Sequence, residues 1–136
     1  MSLAVELKVS NFSRSLRFYT DVLGFTTLRF NAQAREAEVE RDDTTIFITE
    51  VAEAIGALEY PYGRGVKLIV WVRDIEAVVA GIEAFGARLY LPPTIREHVE
   101  DGLTHSHIAA EVCDPDGFCL RFCQSMSPGR NFLTYE

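Results

Sequence analysis

The chain has 136 residues, with 20 acidic and 13 basic side chains and a net charge of −7. This length suits one domain, and the acidic balance excludes the basic face that a nucleic-acid partner requires. No apolar run reaches the roughly 20 residues of a membrane-spanning helix, and the N-terminus lacks a basic-then-apolar signal pattern, so we expect a cytoplasmic protein with no membrane partner.

Residues 5–50 predict a strand, a helix and then three more strands. Apolar and polar side chains alternate at residues 5–9, as in a half-buried strand. Asn11 is placed to cap a helix whose apolar residues recur about every 3.6 positions and which ends at Gly24. The strands that follow span residues 25–30, 37–41 and 45–50, and the last two are joined by a turn at residues 42–44.

The same order recurs after a connector at residues 52–65, which is rich in glycine and proline. Residues 67–72 predict a strand, Asp74 an N-cap, and residues 75–85 the helix with the clearest apolar stripe. The remaining strands span residues 87–91, 103–113 and 118–123. His98 lies in a charged segment between them, where we predict a solvated loop.

These elements predict a single α+β domain built from two βαβββ repeats, which form a curved mixed sheet around a cleft. The repeat halves span residues 1–51 and 66–124. Residues 125–136 form a polar tail that either frays or attaches to a partner subunit. The sequence does not decide between these two roles of the tail.

Asp114-Pro-Asp-Gly117 has the composition of a hairpin turn and lies between the last two predicted strands. On the second of these strands, Phe118, Leu120 and Phe122 alternate with Cys119, Arg121 and Cys123. One face of the strand is therefore apolar and suited to packing, whereas the other face carries reactive and charged groups.

The three cysteines all lie in the last quarter of the chain. Because their number is odd, we predict no disulfide framework, and reduced thiols suit a cytosolic protein. The spacing of Cys119 and Cys123 is not that of a zinc site, so we interpret the cysteines as packing residues. A nucleophilic pair of Cys113 or Cys119 with His105 would lack an orienting third residue.

Two stretches resemble the vicinal oxygen chelate superfamily, which contains glyoxalase I, extradiol dioxygenases and the bleomycin and fosfomycin resistance proteins. Residues 11–25, Asn-Phe-Ser-Arg-Ser-Leu-Arg-Phe-Tyr-Thr-Asp-Val-Leu-Gly-Phe, resemble its first helix signature, and residues 114–117 resemble its closing hairpin. Residues 40–49 and 68–73 look most like the bleomycin resistance proteins. The resemblance implies a homodimer with its ligand cleft at the subunit interface.

Metal enzymes of this superfamily place four His, Gln or Glu ligands on cleft-facing strands, and none of these types stands at the matching positions here. Those positions hold Ala4, Phe47, Lys67 and Arg121. Alanine and phenylalanine have no donor atom, and two cations repel a metal ion. We therefore predict no metal cofactor and no catalytic residues of the usual kind.

An alternative metal site is available on the strand at residues 103–113. His105 and His107 lie on one face of this strand, and Glu111 has the same parity. Neutral imidazoles and a carboxylate suit a divalent transition metal. With such a metal the chain would be a glyoxalase-like lyase or a dioxygenase, whereas the alternative interpretation places the two histidines on the solvent-exposed rim.

The same four positions define which side chains face the cleft. We predict the following ligand-binding residues: Phe47, Lys67, Ile69, Trp71, Arg121, Glu6, Lys8 and Cys119. The opposite parity is uniformly apolar, as strands packed on helices require: Leu7, Val9, Ile46, Ile48, Leu68, Val70, Leu120 and Phe122.

Two aromatic side chains and two cations give this predicted cleft its chemistry. Phe47 and Trp71 can stack on a planar aromatic ligand, while Lys67 and Arg121 can receive an anionic or carbonyl group. Trp71 equally suits a buried strand, and the two cations equally suit ion pairs with nearby carboxylates. We predict a metal-independent protein that binds a bleomycin-like or other planar aromatic drug and confers antibiotic resistance by sequestration.

Overall fold

The computed structural model describes residues 3–52 and 58–126, and its elements follow the predicted order twice. The first half contains β1 (Val5–Val9), α1 (Phe12–Arg17) continued by a π-helical turn (Phe18–Val22), β2 (Thr26–Asn31), β3 (Glu36–Arg41) and β4 (Thr44–Glu50). The second half contains β5 (Lys67–Trp71), α2 (Ile75–Phe85), β6 (Leu89–Glu100), β7 (Leu103–Cys113) and β8 (Cys119–Ser125).

The strands form two four-stranded sheets of the same design. Their orders are β1-β4-β3-β2 and β5-β8-β7-β6. In each sheet the first strand pairs in parallel with the last strand of its half, and the other pairings are antiparallel. This confirms the predicted α+β fold of two βαβββ repeats, with the mixed sheet present as two sheets.

Both helices begin and end where the sequence predicts. The side chain of Asn11 accepts a hydrogen bond from the backbone N–H of Arg14 at 3.0 Å, and Asp74 accepts one from Ala77 at 3.3 Å. Gly24 and Gly86 follow the helices with φ of 77° and 85°, a left-handed conformation that favours glycine.

One hydrophobic core contains residues from both halves of the chain. The predicted apolar face is confirmed, since seven of its eight residues are buried in this core and Leu68 packs against it. The two helices meet at Gly81, where a Cβ atom would collide with the backbone carbonyl of Val22. Phe18 and Phe85 pack edge to face beside this crossing, with ring centroids 6.0 Å apart.

The long strand β6 differs from the prediction. It continues past residue 91 to Glu100 and pairs with β7 along this length, so His98 is a strand residue opposite His105. The loop predicted around His98 is therefore wrong, whereas its predicted exposure is confirmed, since the His98 side chain is 47% exposed. The strand survives its two prolines because β6 is an edge strand and its register shifts between Leu91 and Thr94.

Residues 53–57 of the predicted connector and residues 127–136 of the predicted tail lie outside the described residues. None of the helices in the described ranges combines the length and hydrophobicity needed to cross a membrane.

Candidate functional site

The first sheet carries a cavity of about 660 Å³, which we call the first cavity. Phe47 lies in its floor on β4, between Glu6 on β1 and Glu38 on β3. These side chains point away from the core because they alternate with the buried residues of the same strands. The described residues that line it are Ala4, Glu6, Arg29, Phe30, Asn31, Glu36, Ala37, Glu38, Phe47 and Thr49.

The first cavity is acidic. Among the described residues that line it, three are glutamates, and Arg29 is the one cation and pairs with Glu38 at 2.7 Å. Lys8 does not line the cavity but lies 3.0 Å from Glu6. The hydrogen bond from Lys8, followed by one from Thr49, holds the pKa of Glu6 below its ordinary value.

The second sheet carries a cavity of about 640 Å³, which we call the second cavity. Two of the predicted ligand-binding residues, Lys67 and Cys119, line it and lie directly opposite each other on β5 and β8. The end of the connector forms the other wall. In the described part of the chain, the lining residues are Tyr60, Pro61, Gly63, Arg64, Gly65, Val66, Lys67, Tyr90, Glu111, Cys113, Gly117 and Cys119.

Glu111 holds the two predicted cations together. Its carboxylate accepts a hydrogen bond from Lys67 Nζ at 2.9 Å and another from Arg121 Nε at 2.7 Å. Burial works to raise the pKa of Glu111, but the hydrogen bonds and charges of Lys67 and Arg121 outweigh it, so the pKa lies below its ordinary value. One carboxylate therefore neutralises two cations only in part, and the cluster keeps a net positive charge.

Trp71 and Ile69 lie on the same face of β5 as Lys67 but do not line the second cavity. Ile69 is exposed, whereas Trp71 is half-buried and contacts the ring of His107 edge to face at 5.4 Å. Burial lowers the pKa of His107, and the nearby His98, Arg96 and Arg121 lower it further. His107 is therefore a neutral neighbour of Trp71 at pH 7.

The structure brings the four family ligand positions together as two pairs. Ala4 and Phe47 line the first cavity, and Lys67 and Arg121 meet at Glu111 beside the second. Within residues 3–52 and 58–126, no group of three or more His, Cys, Asp and Glu side chains is arranged to hold a metal ion. The alternative site at His105, His107 and Glu111 thus stays a prediction that one chain's geometry does not support.

Two of the cysteines correct the sequence analysis. Cys113 and Cys119 face each other across β7 and β8, with Cα atoms 4.1 Å apart, and their sulfur atoms form a disulfide. Their interpretation as packing thiols was wrong because the Asp114–Gly117 turn aligns the flanking residues directly. Counting outward from this turn, as for Val112 opposite Leu120, would have paired them. Cys123 is free and buried, as predicted.

Comparisons with known proteins agree with this fold. The Glyoxalase/Bleomycin resistance protein/Dioxygenase superfamily matches residues 3–122. A probable lactoylglutathione lyase of Vibrio parahaemolyticus is 30% identical over 128 residues, which cover 88% of this chain and 86% of that protein. Another from Vibrio cholerae is 31% identical over 130 residues, with the same coverage.

Solved structures with low sequence identity share the fold. TnmS3, an antibiotic binding protein from Streptomyces sp. CB03234, superposes with a TM-score of 0.63 at 19% identity, covering 90% of this chain and 93% of that one. TioX from Micromonospora sp. ML1 gives 0.66 at 18% identity, covering 96% and 100%.

Proposed function

Because this chain belongs to the glyoxalase/bleomycin resistance protein/dioxygenase superfamily, we propose that it binds a planar aromatic drug without a metal and confers resistance by sequestering it. The observation that carries this proposal is the set of side chains at the four family ligand positions. Ala4 and Phe47 offer no donor atom, and Lys67 and Arg121 are cations held by Glu111. Such a set suits binding of an organic ligand better than binding of a metal ion.

A homodimer would complete the proposed cleft. The first cavity is lined by residues of the first half and the second cavity by residues of the connector and the second half, so neither brings Phe47 and Trp71 onto one ligand. The charges of the two cavities are complementary, since glutamates dominate the first cavity and the second is surrounded by Lys67, Arg64 and Arg121. A two-fold axis that faces the first cavity of one copy with the second cavity of another, together with the adjoining face of β5 that carries Trp71, would create two equal sites. The proposed location is the cytoplasm.

The proposed cleft selects a ligand with three features. A planar ring would stack on Trp71 or Phe47, and each such contact contributes roughly 0.5–1.5 kcal/mol beyond burial. A carboxylate or carbonyl group would accept hydrogen bonds from Lys67 and Arg121. A basic or hydrogen-bond-donating group would face the glutamates of the first cavity.

Equilibrium dialysis against metal-free bleomycin and a set of planar antibiotics tests this proposal. We expect saturable binding of at least one of these drugs near one molecule per chain, and recovery of the intact drug after the protein is denatured.

Trp71→Ala should weaken binding up to about tenfold because it removes one stacking surface. Phe85→Ala, which removes an exposed aromatic ring on α2 outside both cavities, is the matched control and should bind like the wild type. Chemical conversion of the drug by the protein would contradict the proposal.

The names of the two curated relatives favour a second candidate function, a glyoxalase-like lyase. This function requires a relocated metal at His105, His107 and Glu111. It predicts about one transition metal per chain after purification, lost in His107→Ala, and turnover of the adduct of methylglyoxal and glutathione. If the protein remains inactive and binds no metal after incubation with Zn²⁺ and Ni²⁺, this second candidate function is excluded.

A further inference from the structure

The Cys113–Cys119 disulfide lies in the wall of the second cavity, and the function proposed above does not use it. Both cysteines are half-buried and both line the cavity. The bond is therefore open to a small molecule that enters the cavity. Disulfides that are accessible in this way are the ones that exchange with thiols, whereas fully buried bonds are inert.

Positive charge surrounds one side of this disulfide. Lys67 lies directly opposite Cys119 on the neighbouring strand. Its ammonium group crosses β8 to reach Glu111, which lies two residues before Cys113 on β7. Arg64 also lines the cavity, and Glu111, the one carboxylate among the described lining residues, is already bound by Lys67 and Arg121.

We propose that Cys113–Cys119 is a thiol-exchange site, at which a small thiol carrying a carboxylate enters the second cavity and forms a mixed disulfide with Cys113. The carboxylate of the incoming thiol is attracted by Lys67 and Arg64, which places its sulfur beside the bond. A cationic thiol of the same size is repelled by these two side chains. The cavity thus selects among thiols by charge.

The exchange proceeds in two balanced steps. The thiolate of the small thiol first attacks Sγ of Cys113. The new sulfur–sulfur bond forms as the Cys113–Cys119 bond breaks. Cys119 leaves as a thiolate, which the positive charge of Lys67 on the neighbouring strand stabilises. A second small thiolate then attacks the bound thiol, which leaves as a symmetric small disulfide and frees Cys113. The protein disulfide gains two electrons, two small thiols are oxidised, and the two cysteine thiolates take protons from water.

The third cysteine, Cys123, does not interfere with measurements on this disulfide. Cys123 is 2% exposed, and burial raises its pKa to about 11, so it does not compete for reagents at neutral pH. Cys123→Ser therefore leaves a full-length protein whose only thiols are the exchanging pair.

The test compares 3-mercaptopropionate, an anionic thiol, with cysteamine, a cationic one, on oxidised Cys123→Ser protein at low salt. Loss of the disulfide is followed by acid quench, alkylation and mass spectrometry. Each rate is divided by that thiol's rate with an uncharged model disulfide, which corrects for intrinsic reactivity. We expect the anionic thiol to react about tenfold faster after this correction, and the early mixed disulfide to lie on Cys113.

Lys67→Gln should reduce the preference for the anionic thiol severalfold. Salt at ~0.5 M should also reduce this preference in protein that keeps Lys67, and this second test does not depend on the folding of the variant. Equal corrected rates for the two thiols would overturn the proposal. So would a bond that dithiothreitol reduces but neither small thiol attacks, or an intact mass showing that wild-type protein keeps three free thiols after treatment with a disulfide-forming oxidant.

Discussion

Replacing Asp116 with alanine is expected to destabilise the protein by about 3 kcal/mol. Asp116 is 3% exposed, and its side chain accepts hydrogen bonds from the backbone N–H of Ser10 at 2.8 Å, from the Ser10 hydroxyl, and from Arg14 at 3.1 Å. Each hydrogen bond to a charged acceptor contributes about 1.5–3 kcal/mol. Arg14 is half-exposed, so its share is small, and Ser10 provides most of the loss.

Urea denaturation measures this loss, with two variants as references. Asp116→Asn keeps one acceptor oxygen for Ser10 and should lose roughly half as much stability. Glu83→Ala removes an exposed carboxylate from α2 and should change the free energy of unfolding by less than about 0.5 kcal/mol. A loss in Asp116→Ala that matches Glu83→Ala would show that the contacts of Asp116 with Ser10 and Arg14 do not stabilise the fold.

The largest pH effect is expected from Asp114. Burial raises its pKa from 3.8 to about 6, despite hydrogen bonds from the N–H of Phe118, the Tyr19 hydroxyl and the N–H of Asp116, which lower it. The folded protein therefore keeps the carboxyl proton of Asp114 at pH values where the unfolded chain has released it. Stability must fall as the pH rises from about 4 to about 6, by about 3 kcal/mol in total, and then stay constant with respect to this group.

Asp114→Asn removes this titration with little change in shape. The amide oxygen can still accept from the N–H groups of Asp116 and Phe118, and the amide nitrogen can donate to the Tyr19 hydroxyl, which lies 2.9 Å from the present carboxylate. The difference in unfolding free energy between this variant and the wild type, measured every half unit from pH 4 to pH 7.5, should grow in favour of the variant through pH 6. A difference that does not vary with pH would contradict the assigned pKa.

The strand and helix pattern could be predicted because it is local. Alternation at residues such as Leu7 and Ile48 fixes which face of each strand is buried, and Asn11 and Asp74 form helix caps within three residues of their partners. The same parity placed Phe47 and Lys67 on the sheet faces opposite the core, where the structure has its cavities.

The role of the closing turn could not be predicted, because it depends on partners far away in sequence. Asp114 and Asp116 have the residue types of any turn, yet they bind Tyr19 and Ser10, 95 and 106 residues away. No local pattern reports such contacts. The turn is therefore both a hairpin connection and a polar link between the two halves.

The cleft residues were predicted as one site but occur as separate groups in one chain. Phe47 and Glu6 belong to the first cavity, Lys67 and Cys119 to the second, and Trp71 contacts His107 outside both. Strand parity indicates which face a side chain occupies, but it carries no information on how two faces are arranged relative to each other. Bringing the groups together is the part that the proposed homodimer would supply.

The emission of Trp71, the one tryptophan in the chain, tests the central claim most directly. Purified protein is titrated with metal-free bleomycin and the planar antibiotics, with N-acetyltryptophanamide titrated in parallel to correct for absorption by the drug. The account predicts saturable quenching by at least one ligand, with an end point near one molecule per chain. A blue-shifted emission that none of these ligands changes would make Trp71 a core residue and contradict its role in binding.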